Sequence, residues 1–365
     1  MPPPIEHLMR PDLLGLQPYE GVDPPEVLAA RLGLPPEHIV KLDGNENPYG
    51  PLARVAEVLG SYQGYNTYPD PLQRRLRTAL ASYAGVQPEQ VVAGAGSDEL
   101  IDLVLRLFLS QGDKVLDLSP TFGMYSFCTR VNGGLLVDVP RDEMWEIDPA
   151  AVRRAIDQRT KLVFVANPNN PTANLSPLDT ILDLVDTGIL VVVDETYHEF
   201  CGFTAVPLVA QHENLIVLRT LSKWAGLAGL RLGYGIMAPS IVQRLLAIKA
   251  PYNVSVAAEQ AALASLEDTD PLLQRVRVLV EERERMAQAL RTIPGLVVYP
   301  SKTNFLLVRL PDSRGQEIAQ ALARRGVFVR TFAHPRLADC IRISVGLPRH
   351  TDALVSALRS VLEQK

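Results

Sequence analysis

Cysteine is scarce in this 365-residue sequence: there are three, at positions 128, 201 and 340, far apart and odd in number. Such a set builds no disulfide framework and suits thiols kept reduced in a cytosol. No apolar stretch of about 18 residues free of charge and turn formers occurs, so no membrane-spanning helix is expected. The opening Met1, Pro2, Pro3, Pro4, Ile5, Glu6, His7 lacks the basic and apolar regions of a signal peptide. The expectation is a soluble, unprocessed, cytoplasmic protein. Excess charge is absent too. The net −5 is mild and spread along the chain, which leaves no footprint for nucleic acid or an acidic membrane. The six histidines form no His-Glu-x-x-His pattern and have no cysteine partners at zinc spacing, so no metal site is expected. There is no phosphate loop of the Gly-x-x-x-x-Gly-Lys-Ser/Thr type, no internal repeat and no low-complexity tract.

What is present is ordinary globular composition, 47% hydrophobic and 21% charged, over a length that suggests about two domains. Residues 1–40 are rich in proline, with a short helical stretch at 26–32, and read as an arm over something larger. From about residue 90, apolar runs alternate with amphipathic helices. Strand candidates lie at 91–93, 114–118, 161–166, 189–193, 215–218 and 231–237, with a helix at 98–110. This alternation predicts an α/β domain with a mainly parallel sheet. The unbroken run Ile189, Leu190, Val191, Val192, Val193 suits a strand buried on both faces. After Ser255 the texture changes. Helical stretches at 256–266 and 272–293 precede short strand candidates at 296–299, 305–310, 327–330 and 340–345, and an amphipathic helix at 352–362 follows. The expected division is an arm at 1–42, a large domain at 43–254 and a small α+β domain at 255–365.

Four segments carry chemistry at the ends of predicted strands. In the first, Ser222 and Lys223 follow the strand ending near Leu218, in a turn rich in glycine and alanine, with Arg231 eight positions on. A lysine desolvated there favours its nucleophilic amine. Ser222 and the planar fork of Arg231 can share one phosphate. Alone, a Ser-Lys after a strand is a surface loop; the arginine and the flanking glycines lift it above that. In the second, Gly94, Gly96, Ser97 and Asp98 join a strand to a helix, where backbone amides and the helix dipole receive an anion. As a dinucleotide fingerprint this segment is weak, and a simple N-cap is the bland alternative.

In the third, Asp194 ends a buried strand, with Tyr197 three residues later. The acidic pair Asp194-Glu195 could hold Mg²⁺ as in a nucleotidase, which the missing phosphate loop disfavours, or the aspartate can hold a pyridinium nitrogen protonated. In the fourth, Asn167, Pro168, Asn169, Asn170, Pro171 and Thr172 could be only a turn, but they lie at the same end of the sheet, where the Asn170 amide could reach a ligand. Pro120 to Tyr125 offers aromatic rings to a flat heterocycle.

Together these segments resemble the class I/II aminotransferases that use pyridoxal 5'-phosphate (PLP), and most closely the histidinol-phosphate aminotransferases. The likeness also takes in Pro18-Tyr19, Gly44 to Pro51, Tyr68-Pro69-Asp70, Ala250-Pro251-Tyr252 and Ile341 to Gly346, in order over nearly the whole chain. It implies a fold-type I PLP-dependent transferase: a large domain with a mainly parallel seven-stranded sheet, a smaller α+β domain and an N-terminal arm. Lys223 would carry the cofactor as a Schiff base and shuttle the proton, and Asp194 would pair with the pyridine nitrogen. Asn170 and Tyr197 would hold the ring oxygen, and Phe122 would stack on the ring. Ser97, Asp98, Ser222 and Arg231 would bind the phosphate, with Tyr68 reaching it from the other subunit of a homodimer. Asn47, Asn170 and Arg342 would meet the substrate, Arg342 at its carboxylate, with Arg330 and Tyr19 at its phosphate end.

The implied reaction takes L-histidinol phosphate and 2-oxoglutarate to imidazole acetol phosphate and L-glutamate, as in histidine biosynthesis. A broad or aromatic amino-acid aminotransferase, a threonine-phosphate decarboxylase type and an inactive PLP-fold binding protein are the alternatives. Three positions depart from the family pattern. Phe122 stands where tyrosine is frequent. Ala173 replaces the glycine that closes the Asn-Asn-Pro-Thr turn, so positive φ is not expected there. Trp224 follows the lysine and is expected to narrow the pocket.

Overall fold

The computed structural model of the protein describes residues 5–311 and 314–363. The first four residues of the expected arm, positions 312–313 and the last two of the expected small domain lie outside the described residues. Twelve strands are present among them: β1 (Val40–Leu42), β2 (Val91–Ala95), β3 (Lys114–Asp117), β4 (Leu135–Asp138), β5 (Thr160–Ala166), β6 (Leu190–Asp194), β7 (Leu215–Thr220), β8 (Leu232–Ile236), β9 (Val297–Val298), β10 (Phe305–Arg309), β11 (Val327–Val329) and β12 (Cys340–Ser344).

Seven of them form the central sheet in the order β2-β8-β7-β6-β5-β3-β4. All are parallel except β8, which runs antiparallel to both β2 and β7. The β-branched run of β6 sits in the middle and is buried along its whole length. Alternate residues feed two cores. Val163, Val165, Val191, Val193 and Val217 join one, while Leu162, Phe164, Val192, Ile216 and Leu218 join the other. A sheet covered on both faces explains the unbroken apolar runs, since a period of two still points each side chain into a core. Each fully buried aliphatic side chain contributes about 1.5–3 kcal/mol against exposure.

The C-terminal strands form a second sheet, β12-β10-β9, entirely antiparallel. β1, at the end of the N-terminal segment, pairs in parallel with β11 and so ties that segment to the C-terminal part. The arm helix Pro25–Leu32 begins with proline in its first turn and ends on Gly33 at φ 66°, which explains why it could be read from sequence. Helix Asp270–Arg291 is the longest. No helix of the described residues is long and apolar enough to cross a membrane.

The topology gathers loops at one edge. β3, β5, β6 and β7 end there, β2 ends there just before helix Ser97–Phe108, and the antiparallel β8 starts there just after Arg231. Crevices at the carboxyl ends of such strands are where α/β sheets place ligands.

Candidate active site

A cavity of about 980 Å³ opens over this edge, roofed by Tyr19–Val22 of the arm and by Arg330, His334 and Arg342 of the C-terminal part. Its floor is assembled from loop residues following five strands.

At one end lies an anion cradle. Gly96 caps helix Ser97–Phe108 at φ 82°. Arg231, itself left-handed at φ 53°, turns its Nη2 onto Asp98 Oδ2 at 2.7 Å. Ser222 lies beside them, its hydroxyl paired with that of Thr220 at 2.9 Å. Space explains the glycines here. A Cβ on Gly96 would stand 2.6 Å from Arg231 Nη2, and one on Gly233 would stand 2.4 Å from the Ser97 nitrogen. Amides at a helix N-terminus, a hydroxyl and a guanidinium therefore converge on one point, an arrangement that binds phosphate-like anions.

In the middle stand three ionisable groups. Lys223, half-buried, has its Nζ 3.3 Å from the Gly44 carbonyl. Burial, with the Arg342 charge adding to it, pulls its pKa down to about 8. Asp194, 4% exposed, accepts from three neutral donors: the Tyr125 hydroxyl at 2.7 Å, the Thr196 hydroxyl at 2.6 Å and the Thr196 amide at 3.0 Å. Burial outweighs those bonds and raises its pKa. Such a carboxylate is poised for a cation in the cavity. The Tyr197 hydroxyl accepts from Asn45 Nδ2 at 2.9 Å, and burial pushes its pKa up to about 12.

Two guanidinium groups close the far side. Arg342 donates from Nη1 to Asn170 Oδ1 at 2.8 Å and from Nη2 to the Asp43 carbonyl at 2.5 Å, while its buried Nε has no hydrogen-bond partner. Arg330 donates to the Glu20 carbonyl at 2.8 Å and lies 3.4 Å from the Glu20 carboxylate. The Tyr19 ring meets Phe122 edge to face, with centroids 6.2 Å apart.

Comparison with known proteins places this architecture. The family profile described as aminotransferase class I and II matches residues 37–362. The chain belongs to the class I and II aminotransferases. This aminotransferase is 49% identical, over 99% of its length and 100% of the relative's, to a protein named histidinol-phosphate aminotransferase from Roseiflexus castenholzii. It is 46% identical to the chloroplastic histidinol-phosphate aminotransferase of Nicotiana tabacum, covering 96% of this chain and 86% of that one. Among solved structures it superposes on histidinol-phosphate aminotransferase from Sinorhizobium meliloti in complex with pyridoxal-5'-phosphate. There the TM-score is 0.88 at 28% identity, with 97% of each chain covered.

Of the residues singled out from sequence, Tyr19, Ser97, Asp98, Phe122, Asn170, Asp194, Tyr197, Ser222, Lys223, Arg231, Arg330 and Arg342 all line this same cavity of the aminotransferase. Two do not. Asn47 is turned away, its amide used by the Trp224 carbonyl at 3.1 Å and the Tyr49 nitrogen at 3.0 Å, where it fixes the loop after Lys223. Tyr68 is 81% exposed and stacks on Tyr252 at 4.5 Å, clear of the cavity of its own chain.

Two expectations are corrected. Ala173 does adopt positive φ, 64°, because the loop is fixed by bonds from its own nitrogen to the Asn169 carbonyl and from the Asn169 nitrogen to the Asn174 carbonyl. Trp224 does not narrow the pocket. It is fully buried on the opposite side of the loop and stacks on Tyr83 at 5.0 Å.

Sequence reading missed Asn45, Tyr125 and Thr196 as partners of the ionisable groups. Asn45 stood inside the Gly44–Pro51 likeness, and its type, tolerant of left-handed backbone, was the available signal. For Tyr125 and Thr196 no spacing rule points to Asp194. His198 packs away from the chemistry, its Nδ1 2.6 Å from the Phe203 carbonyl.

Proposed function

We propose that this chain is a PLP-dependent histidinol-phosphate aminotransferase that transfers the amino group of L-histidinol phosphate to 2-oxoglutarate. The observation that carries the reading is the meeting, in one cavity, of a lysine amine with a lowered pKa, a buried aspartate with only neutral partners and two guanidinium groups. The names of relatives up to 49% identical support the substrate.

The residues fit the cofactor. The cradle at Gly96, Ser97, Asp98, Ser222 and Arg231 suits its phosphate. Asp194 supplies the countercharge for a protonated ring nitrogen, Asn170 and Tyr197 suit the ring oxygen, and Phe122 offers a ring face. When bound, PLP supplies an electron sink for the bond broken at the donor's Cα. Lys223 would hold it, and its Nζ would move the Cα proton; its lowered pKa keeps a usable share of free base near neutrality. Asp194, out of water, would hold a proton on the ring nitrogen.

Arg342 binds the carboxylate of 2-oxoglutarate or glutamate, and Arg330 with Tyr19 binds the phosphate end of histidinol phosphate. Tyr68, too far out to serve its own cavity, acts at the partner site of a cytoplasmic homodimer; the exposed Leu8 and Ile5 of the arm add apolar surface for that contact. The test is a steady-state assay with both substrates. Glutamate forming in step with loss of histidinol phosphate supports the reading, whereas threonine phosphate consumed with release of carbon dioxide replaces it with decarboxylation.

A further inference from the structure

The segment Asp43–Asn45 touches three of the groups just described. The Asp43 carbonyl accepts from Arg342, the Gly44 carbonyl lies against Lys223, and the Asn45 amide donates to Tyr197. Asn45 is the least replaceable of the three. It is 2% exposed and left-handed at φ 52°, a conformation asparagine tolerates better than most residues. Four hydrogen bonds lock it. Its nitrogen donates to Ser344 Oγ at 2.8 Å, Ser344 Oγ donates back to Oδ1 at 2.8 Å, its carbonyl accepts from Asn304 Nδ2 at 3.0 Å, and Nδ2 donates to the Tyr197 hydroxyl at 2.9 Å.

The Ser344 proton decides which way the amide faces. Turned over, the amide would take away that hydroxyl's acceptor, so Nδ2 is directed at Tyr197. A tyrosine oxygen occupied by a donor has its own proton left to give, and an amide donor makes that proton more acidic.

We propose that Asn45 is a positioning residue that holds Tyr197 as a hydrogen-bond donor facing the cavity, toward the ring oxygen of the cofactor. The inference rests on the reading of the site as a PLP site. Ser344 and Arg342 lie two residues apart on β12, so the strand that carries the carboxylate-binding guanidinium also sets the Asn45 amide. The other charged or titratable groups that bear on Tyr197 include Arg342 from β12, Asp194 from β6, Tyr19 from the arm and Tyr125 from helix Gly123–Val131. The ring of Phe305 on β10 packs edge to face against it at 5.3 Å.

The experiment is a pH titration of the visible absorbance of the cofactor-loaded enzyme. A strong donor at the ring oxygen spreads its negative charge and lets the proton on the adjoining lysine-linked nitrogen leave at lower pH. Asn45→Asp removes the N–H and offers an oxygen that competes for the tyrosine proton. Asn45→Gly removes the side chain and keeps the left-handed backbone.

Both variants are expected to raise the titration midpoint, Asn45→Asp by about one unit, as for loss of a hydrogen bond to a charged form. Tyr197→Phe should raise it further, and Asn45→Asp placed on that background should add nothing. If Tyr197→Phe moves the midpoint and neither Asn45 variant does, the role of Asn45 is overturned while the PLP reading stands. If Tyr197→Phe leaves the midpoint in place, the placement of Tyr197 at the ring oxygen is itself wrong.

Discussion

Gly233, at the start of the cradle's antiparallel strand, lies so close to Ser97 that a Cβ would stand 2.4 Å from that residue's nitrogen and 2.6 Å from the Gly96 carbonyl carbon. The strand that follows Arg231 is therefore pressed directly onto the helix N-terminus, and this contact brings the guanidinium and the helix amides to one point. Backbone, unlike the end of a flexible side chain, has nowhere to move.

Gly233→Ala should accordingly spread the cradle while leaving the rest of the sheet intact. Losing one or two charge-assisted phosphate contacts, each about 1.5–3 kcal/mol, predicts a cofactor dissociation constant raised at least tenfold. Equilibrium dialysis followed by visible absorbance checks this. Unchanged affinity would mean that the phosphate sits elsewhere.

The lowered pKa of Lys223 sets the pH dependence of cofactor uptake. A lysine with a pKa near 8 is about 10% free amine at pH 7, against about 0.03% for an ordinary one. Protonation disables it, so covalent capture by the apoenzyme should climb about tenfold per unit below pH 8 and level off above. Stopped-flow absorbance across pH 6 to 10 measures it, and a rate still climbing at pH 10 would contradict the burial argument. Lys223→Ala should bind cofactor without covalent attachment and lose turnover, which borohydride reduction followed by mass spectrometry reports.

Legibility from sequence followed the range of each interaction. The strand Leu190–Asp194 was plain because both faces are buried, and Lys223 and Asp194 because strand ends of one sheet lie together. Val40–Leu42 was too short to show a period, and Leu135–Asp138 is an edge strand with a half-exposed Leu135. Trp224 misled through adjacency, since consecutive side chains in a tight loop point to opposite sides. The bonds Asn45–Ser344 and Tyr125–Asp194 span 299 and 69 residues, and no local spacing encodes them.

Ala173 is a place where the chain keeps strain. A left-handed alanine costs about 1–2 kcal/mol, and glycine gives back about 0.4–1 in unfolded-state entropy. Ala173→Gly should therefore stabilise the protein by about 0.5–1 kcal/mol, read as a higher urea midpoint at unchanged slope. A loss of stability would mean that packing of the buried methyl outweighs the backbone term.

The most direct test of the central claim is a single half-reaction. Cofactor-loaded enzyme is mixed in turn with L-histidinol phosphate, L-glutamate, L-phenylalanine and threonine phosphate, with no oxo acceptor, and the visible band is followed. The account predicts that histidinol phosphate bleaches it fastest, with stoichiometric pyridoxamine phosphate, and that Arg330→Ala removes this advantage. Fastest bleaching by phenylalanine, unaffected by Arg330→Ala, would contradict the assignment of Arg330 and Tyr19 to a phosphate and with it the substrate proposed here.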